Sequence, residues 1–141
     1  MQREISFLLH DIARRTRYAF DARARASGLT RAQWRVLINL AHVDGPTQSE
    51  LAVALDVERI TLCRMVDRLA EAGLVERRAD PSDRRVWRLH LTEKAGPLVD
   101  RLSGIANEME EKMLFPLSAE QRDLLGGLLL TIDQKLRLQQ N

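Results

Sequence analysis

The sequence has a single cysteine, few aromatic residues and no long apolar run. Cys63 alone excludes an internal disulfide and a cysteine-rich zinc site. No apolar run approaches the roughly 20 residues that a membrane span requires, and residues 1–11 lack the apolar region and cleavage site of a signal peptide. We therefore expect a cytoplasmic protein that is stabilised by packing and by association.

The chain also lacks the sequence signatures of an enzyme. It contains no phosphate-cradling glycine loop, and His10, His42 and His90 do not have metal-ligand spacing. We expect no catalysis, no cofactor and no metal. Cys63 lies between an apolar and a polar helix face, so we predict a small buried side chain, with a redox role as the alternative.

The placement of charge is more informative than its sum. A net charge of +2 is too small to indicate a nucleic-acid partner. Between Arg77 and Arg88, however, five arginines stand against two acids. From Glu93 to the end there are eight acids and six bases, so the positive excess is local to residues 77–88.

Helix signals divide most of the chain. Apolar residues at i, i+3, i+4 and i+7 predict a first helix that ends near Ser27 and Gly28. Three capping boxes fix later helix starts, at Thr30 to Gln33, Thr47 to Glu50, and Ser118 to Gln121. Further helices are predicted over residues 30–42, 47–55 and about 59–72, with Gly73 ending the last.

The short turn at residues 56–58 is typical of a helix-turn-helix, and the helix after it has two distinct faces. Its apolar face consists of Leu62, Val66 and Leu69. Its polar face consists of Thr61, Arg64 and Arg68. Arginine bridges guanine O6 and N7, and threonine contacts base edges, so the polar face suits the major groove.

A two-stranded hairpin follows. Residues 75–79 predict one strand, and Pro81, Ser82 and Asp83 supply turn chemistry. In the second strand, Trp87, Leu89 and Leu91 alternate with Arg88 and His90, which predicts one packed face and one charged face.

Two more helices are predicted after the hairpin. One begins at Thr92 or at Pro97 and runs to about Pro116, and the other runs from Ser118 to about Leu138. The leucine content of the last helix predicts burial against a second copy of the chain. Gly126 and Gly127 within it indicate either close approach of a partner helix or a bend.

These residues resemble the MarR family, most closely its SlyA-like branch, over nearly the whole chain. The specific elements are GLVERR at residues 73–78 and the pattern of Asp83, Arg85, Leu91 and Thr92. The resemblance implies a mainly α fold with a small β-hairpin, a winged helix-turn-helix at residues 30–92. It further implies dimerisation helices at residues 1–29 and 93–141.

The resemblance also implies a homodimeric transcription factor, a repressor by expectation, on a palindromic double-stranded DNA operator. Arg85 is expected in the minor groove with Asp83 holding it, and Arg64, Thr61 and Arg68 in the major groove. Arg59 and Ser49 stand at helix starts, where phosphate contact is common. The alternative is that Arg59 and Ser49 are ordinary surface or capping residues.

Family members often bind small aromatic carboxylates or phenols between the dimerisation region and the DNA-binding winged helix-turn-helix. The candidates for such an effector are Arg14, Arg17 and Trp34, since two arginines can receive a carboxylate and an indole can stack on a ring. The alternative is that Asp11 and Asp21 pair with the arginines and that Trp34 belongs to the core. The competing function is a winged-helix protein-interaction module without specific DNA binding.

Overall fold

Four helices form the first half of the chain, in a computed structural model that describes residues 4–139. They are α1 (Ile5–Ala26), α2 (Arg31–His42), α3 (Gln48–Leu55) and α4 (Arg59–Glu71). The predicted starts and ends are confirmed because local signals set them. Thr30 and Gln33 form a complete capping box, and Gly73 has a φ of +74° beyond α4. At the start of α3 the predicted capping box is only half formed, because the Thr47 hydroxyl accepts from the Glu50 amide without the reciprocal bond from the Thr47 amide to the Glu50 side chain.

A hairpin and two further helices complete the fold. The strands β1 (Val75–Ala79) and β2 (Trp87–Leu91) pair antiparallel, with Val75 opposite Leu91 and Ala79 opposite Trp87. After a 3-10 turn at Glu93–Ala95 come α5 (Gly96–Leu114) and α6 (Ala119–Gln139). The Thr92 hydroxyl does not cap a helix; it donates to the Gly73 carbonyl at 2.6 Å.

The core lies where α2, α3 and α4 meet the hairpin. Eight leucine and valine side chains from these elements and from α5 have no exposed surface. They are Val36, Leu37, Leu51, Leu62, Val66, Leu69, Leu89 and Leu102. Burying each such side chain contributes about 1.5–3 kcal/mol. This core fixes the orientation of α4, since its apolar face is held inward and its polar face outward.

The described chain divides into two compact units between Ala106 and Asn107, within α5. In the second unit, Arg122 of α6 pairs with Glu111 of α5 at 3.2 Å, and Ser118 and Gln121 form their predicted capping box. The helix α6 continues through Gly126 and Gly127, and a Cβ atom on either glycine would meet nothing within 4 Å. Close approach of a partner helix there stays a prediction.

Candidate nucleic-acid interface

The polar face of α4 is exposed, as its spacing predicted. Thr61, Arg64 and Arg68 face solvent on the side opposite the buried Leu62 and Val66. They line one groove of about 250 Å³ whose other wall is the start of α2, including Thr30 and Gln33. A stripe of donors is thus presented on a helix that the core holds in place.

The arginines of this surface differ from those of the hairpin in their pairing. Among residues 4–139, the side chains of Arg59, Arg64 and Arg68 have no ion-pair or hydrogen-bond partner. By contrast, Arg77 pairs with Asp67 at 2.5 Å, and Arg78 pairs with Glu76. Guanidinium groups without a protein partner are available to phosphates and base edges.

Arg85 stands at the tip of the hairpin and is held by Asp83. Its Nε and Nη2 atoms donate to the two Asp83 carboxylate oxygens at 3.1 and 3.3 Å, and its backbone amide donates to Oδ1 at 3.1 Å. These hydrogen bonds lower the pKa of Asp83. The Arg85 side chain remains 91% exposed. The pair therefore orients the guanidinium while leaving it open to a ligand.

Asp80 shapes the turn that carries this pair, a role that sequence analysis missed. Its side chain is only 8% exposed, and Oδ1 accepts from the Ser82 amide at 2.8 Å and the Ser82 hydroxyl at 2.6 Å. Arg88 donates to the other oxygen. The Ser82 hydroxyl and then Arg88 hold the pKa of Asp80 far below its ordinary value. An aspartate followed by Pro, Ser and Asp was the available signal for this turn.

The hairpin is joined to the helix-turn-helix through the loop before α3. Arg88 Nη1 donates to the Gly45 carbonyl at 2.9 Å, and the Leu89 amide donates to the Pro46 carbonyl at 2.9 Å. Thr47 forms a β-bridge with Arg88. These contacts set the position of the hairpin relative to α3, and nothing in the sequence near Arg88 indicates them.

A second groove, of about 260 Å³, separates the hairpin from the starts of α3 and α4. Three predicted DNA-contacting residues meet there, Ser49, Arg59 and Arg85. Trp87 lines the same groove and is 52% exposed. The predicted packed face of β2 is therefore wrong at Trp87, because this residue lies at the tip end of the strand, beyond the core that buries Leu89.

The expected positive excess of the hairpin is also reduced by pairing. Four of its five arginines bind acids, namely Asp67, Glu76, Asp80 and Asp83. Arg84 alone of the five has no partner among the residues described. The sequence window missed Asp67 and Glu76 because both lie before it, one of them in α4.

Cys63 is half-buried, so its predicted burial is incomplete. Gln48 Nε2 donates to its sulfur at 3.2 Å, and Arg77 Nε donates to Gln48 Oε1 at 3.0 Å. Within residues 4–139, no group of three or more histidines, cysteines or acids is placed to hold a metal ion. In the same range no helix is long and apolar enough to cross a bilayer.

Two of the three effector candidates form separate interactions within the chain. Arg14 pairs with Asp11 at 2.7 Å, as the alternative predicted. Trp34 Nε1 donates to Asp21 at 2.7 Å, and the Trp34 ring packs on Phe20 with centroids 4.6 Å apart. Arg17 is exposed. Burial, and then the charges of Arg31 and Arg17, lower the pKa of Arg35, while Asp56 and Asp21 oppose this shift.

Known proteins with this architecture are transcription regulators. Residues 27–86 match the sequence model of the MarR family. The solved structure of the transcriptional regulator PA3341 is 36% identical, with a TM-score of 0.85 over 95% of this chain and 98% of that one. SlyA is 24% identical with a TM-score of 0.79, covering 95% and 94% of the two chains.

Wild-type MarR from E. coli, in its apo form, is 24% identical with a TM-score of 0.78, covering 94% of this chain and 98% of that one. These last two likenesses show the fold. Together with the hairpin and the exposed face of α4, the matches confirm a mainly α, winged helix-turn-helix fold. The chain belongs to the MarR family of DNA-binding transcription regulators.

Proposed function

We propose that this protein is a homodimeric repressor of the SlyA-like branch that binds a palindromic operator. The observation that carries the proposal is the set of exposed arginines that have no partner in the described chain, Arg59, Arg64 and Arg68, beside the oriented Arg85. A cluster of exposed guanidinium groups without protein partners attracts anions. Duplex DNA supplies that anion along its whole length.

The side chains divide into three roles. Arg64, Arg68 and Thr61 lie on the exposed face of α4 and are proposed to contact base edges in the major groove. Ser49 and Arg59 line the groove at the helix starts and are proposed to bind phosphates. Arg85 is proposed to enter an A·T-rich minor groove, where the Asp83 pair restricts its rotamers before binding.

Exposed apolar surface supports association of two copies. None of the residues of α6 is buried in the described chain, and this helix exposes a stripe that includes Leu125, Leu129 and Ile132. The first half of α1 separately exposes Phe7 and Ile12. Monomeric proteins rarely leave such patches in water. We therefore assign dimerisation to residues 1–29 and 93–141 and DNA binding to residues 30–92.

A symmetric dimer explains both binding and its regulation. The two winged helix-turn-helix regions of a dimer fit successive major grooves only when they lie about 34 Å apart. Binding of a ligand that prefers another separation would release the operator. A small aromatic carboxylate or phenol is the proposed effector, with Arg14, Arg17 and Trp34 as contacts. Arg31 and Arg35 add positive charge near Arg17, and Asp21 compensates part of it.

Selection from a random duplex pool tests this function. The expected product is a palindrome whose half-sites are one helical turn apart, bound by two chains per duplex in sedimentation equilibrium. Recovery of no preferred sequence, or binding of a single chain, contradicts the proposal. A protein-interaction module predicts that outcome, and it also predicts that Arg85→Ala has no effect in cells.

A further inference from the structure

Trp87 is exposed at a position where the strand pattern requires a packed side chain. It shares the face of β2 with Leu89, which is fully buried, yet 52% of Trp87 is accessible to solvent. Its antiparallel neighbour is Ala79, whose small side chain leaves the indole uncovered from that strand. A large apolar ring is thus presented at the tip end of the hairpin.

The indole N–H of Trp87 also has no acceptor among residues 4–139. Trp34 shows the usual arrangement, because its Nε1 donates to Asp21 at 2.7 Å. Trp87 therefore offers both an apolar face and an unused hydrogen-bond donor.

The groove beside Trp87 is lined by donors. Arg59, Arg85 and the hydroxyl of Ser49 line it together with the indole, and Arg59 has no acid partner in the described residues. Such a set binds an anion that carries apolar surface. The sugar-phosphate backbone of DNA has this composition, with an apolar deoxyribose face between two phosphates.

We propose that Trp87 contacts the DNA backbone in the groove between the hairpin and the starts of α3 and α4. The indole face packs against a deoxyribose, and Nε1–H donates to a phosphate oxygen. This inference rests on the proposed function and adds a contact that involves no base. It also differs from the arginine contacts, since an uncharged side chain releases no counterion when it binds.

The test measures duplex affinity as a function of salt for Trp87→Ala, Trp87→Phe and Arg59→Ala, on the selected duplex and on a shuffled duplex of equal length. Trp87→Ala should weaken both complexes by about tenfold, with an unchanged slope of log K against log salt. Trp87→Phe, which keeps a ring without the donor, should lie between. Arg59→Ala, which removes one phosphate contact from each of the two chains, should reduce the magnitude of the slope by about 1.8.

A second measurement does not depend on truncating Trp87. Trp34→Phe leaves Trp87 as the only tryptophan, and acrylamide quenching of its fluorescence should fall at least twofold when the duplex is bound. Unchanged quenching, unchanged affinity of Trp87→Ala, or a loss confined to the selected duplex would each overturn the backbone contact.

The two hypotheses fail in different ways. If the wild-type protein binds the selected and shuffled duplexes equally, specific recognition is wrong, while the Trp87 contact is still measured on either duplex. If the wild type prefers the selected duplex and Trp87→Ala binds both duplexes with wild-type affinity, only the Trp87 contact is wrong.

Discussion

Arg88 donates Nη1 to the Gly45 carbonyl at 2.9 Å, and 43 residues separate the two in sequence. The same side chain binds Asp80 through Nε. One arginine thus connects the turn of the hairpin to the loop that precedes α3. The position of the Arg85 tip relative to the reading helix depends on this connection.

Replacing Arg88 by alanine should loosen the hairpin without unfolding the chain. Hydrogen exchange should accelerate at the Asp80 and Leu89 amides, which donate to Val86 and Pro46, and DNA affinity should fall several-fold. Arg78→Ala is the matched control, because among residues 4–139 the Arg78 side chain pairs only with Glu76 of its own strand. Equal exchange rates in the two variants would contradict this role.

Acid should remove the contribution of the Asp80 charge to stability. Hydrogen bonds from Ser82 and Arg88 hold its folded pKa below the ordinary value of 3.8. The stabilisation is therefore complete above the ordinary pKa and is lost as the pH falls toward the folded pKa.

The urea midpoints of the wild type and Asp80→Asn should accordingly differ by a constant amount from about pH 7 to about 5. The difference should shrink progressively as the pH falls below about 4. The wild type should be the more stable form at neutral pH. A difference that persists undiminished to about pH 2 would show that the charge of Asp80 is not responsible.

Gly45 should tolerate a side chain less well than Gly28. Both have positive φ, +54° and +83°, but a Cβ on Gly45 would lie 2.9 Å from His90 Cε1, whereas one on Gly28 meets nothing within 4 Å. Gly28→Ala should cost about 1–2 kcal/mol from backbone strain alone.

Gly45→Ala should cost more than Gly28→Ala in chemical denaturation. In a His90→Ala background the cost of Gly45→Ala should approach that of Gly28→Ala, because the contact with the ring is removed. No difference between the two backgrounds would mean that the His90 ring moves aside freely.

Arg64 and Arg78 should separate base reading from surface charge. Both are exposed arginines, but only Arg64 lies on the reading face of α4. Arg64→Ala should reduce discrimination between selected and shuffled duplexes by about 1–3 kcal/mol, and Arg78→Ala should leave it unchanged. Competition gel shifts measure both values, and equal effects would assign Arg64 to phosphate contact.

Leu129→Glu in α6 should disrupt the proposed dimer. Burying a carboxylate without a partner costs about 3–5 kcal/mol. This cost corresponds to a rise of about a hundredfold or more in the dimer dissociation constant. Val53→Glu on α3, where Val53 is 81% exposed, is the control. Sedimentation velocity that finds both variants equally dimeric would exclude α6 from the interface.

The sequence by itself determined the order of the elements and most of their bounds, while the start of α5 was left open between Thr92 and Pro97 and lies at Gly96. Thr30 with Gln33, Ser118 with Gln121, and Gly73 mark helix ends through hydrogen bonds and backbone angles that span no more than four residues. The two faces of α4 follow in the same way from helical periodicity. Such signals are local, so they can be read before any tertiary contact is known.

Beyond the Asp83–Arg85 pair, which the family pattern implied, only the tertiary structure decided how the arginines of the hairpin are paired and that Trp87 stays exposed. Asp67 of α4 neutralises Arg77, Gly45 holds Arg88, and Trp87 lies beyond the edge of the core that covers Leu89. Each outcome depends on how the hairpin packs against helices that are distant in sequence. Local propensity carries no record of that packing, since the free energy of these contacts arises only when the elements meet.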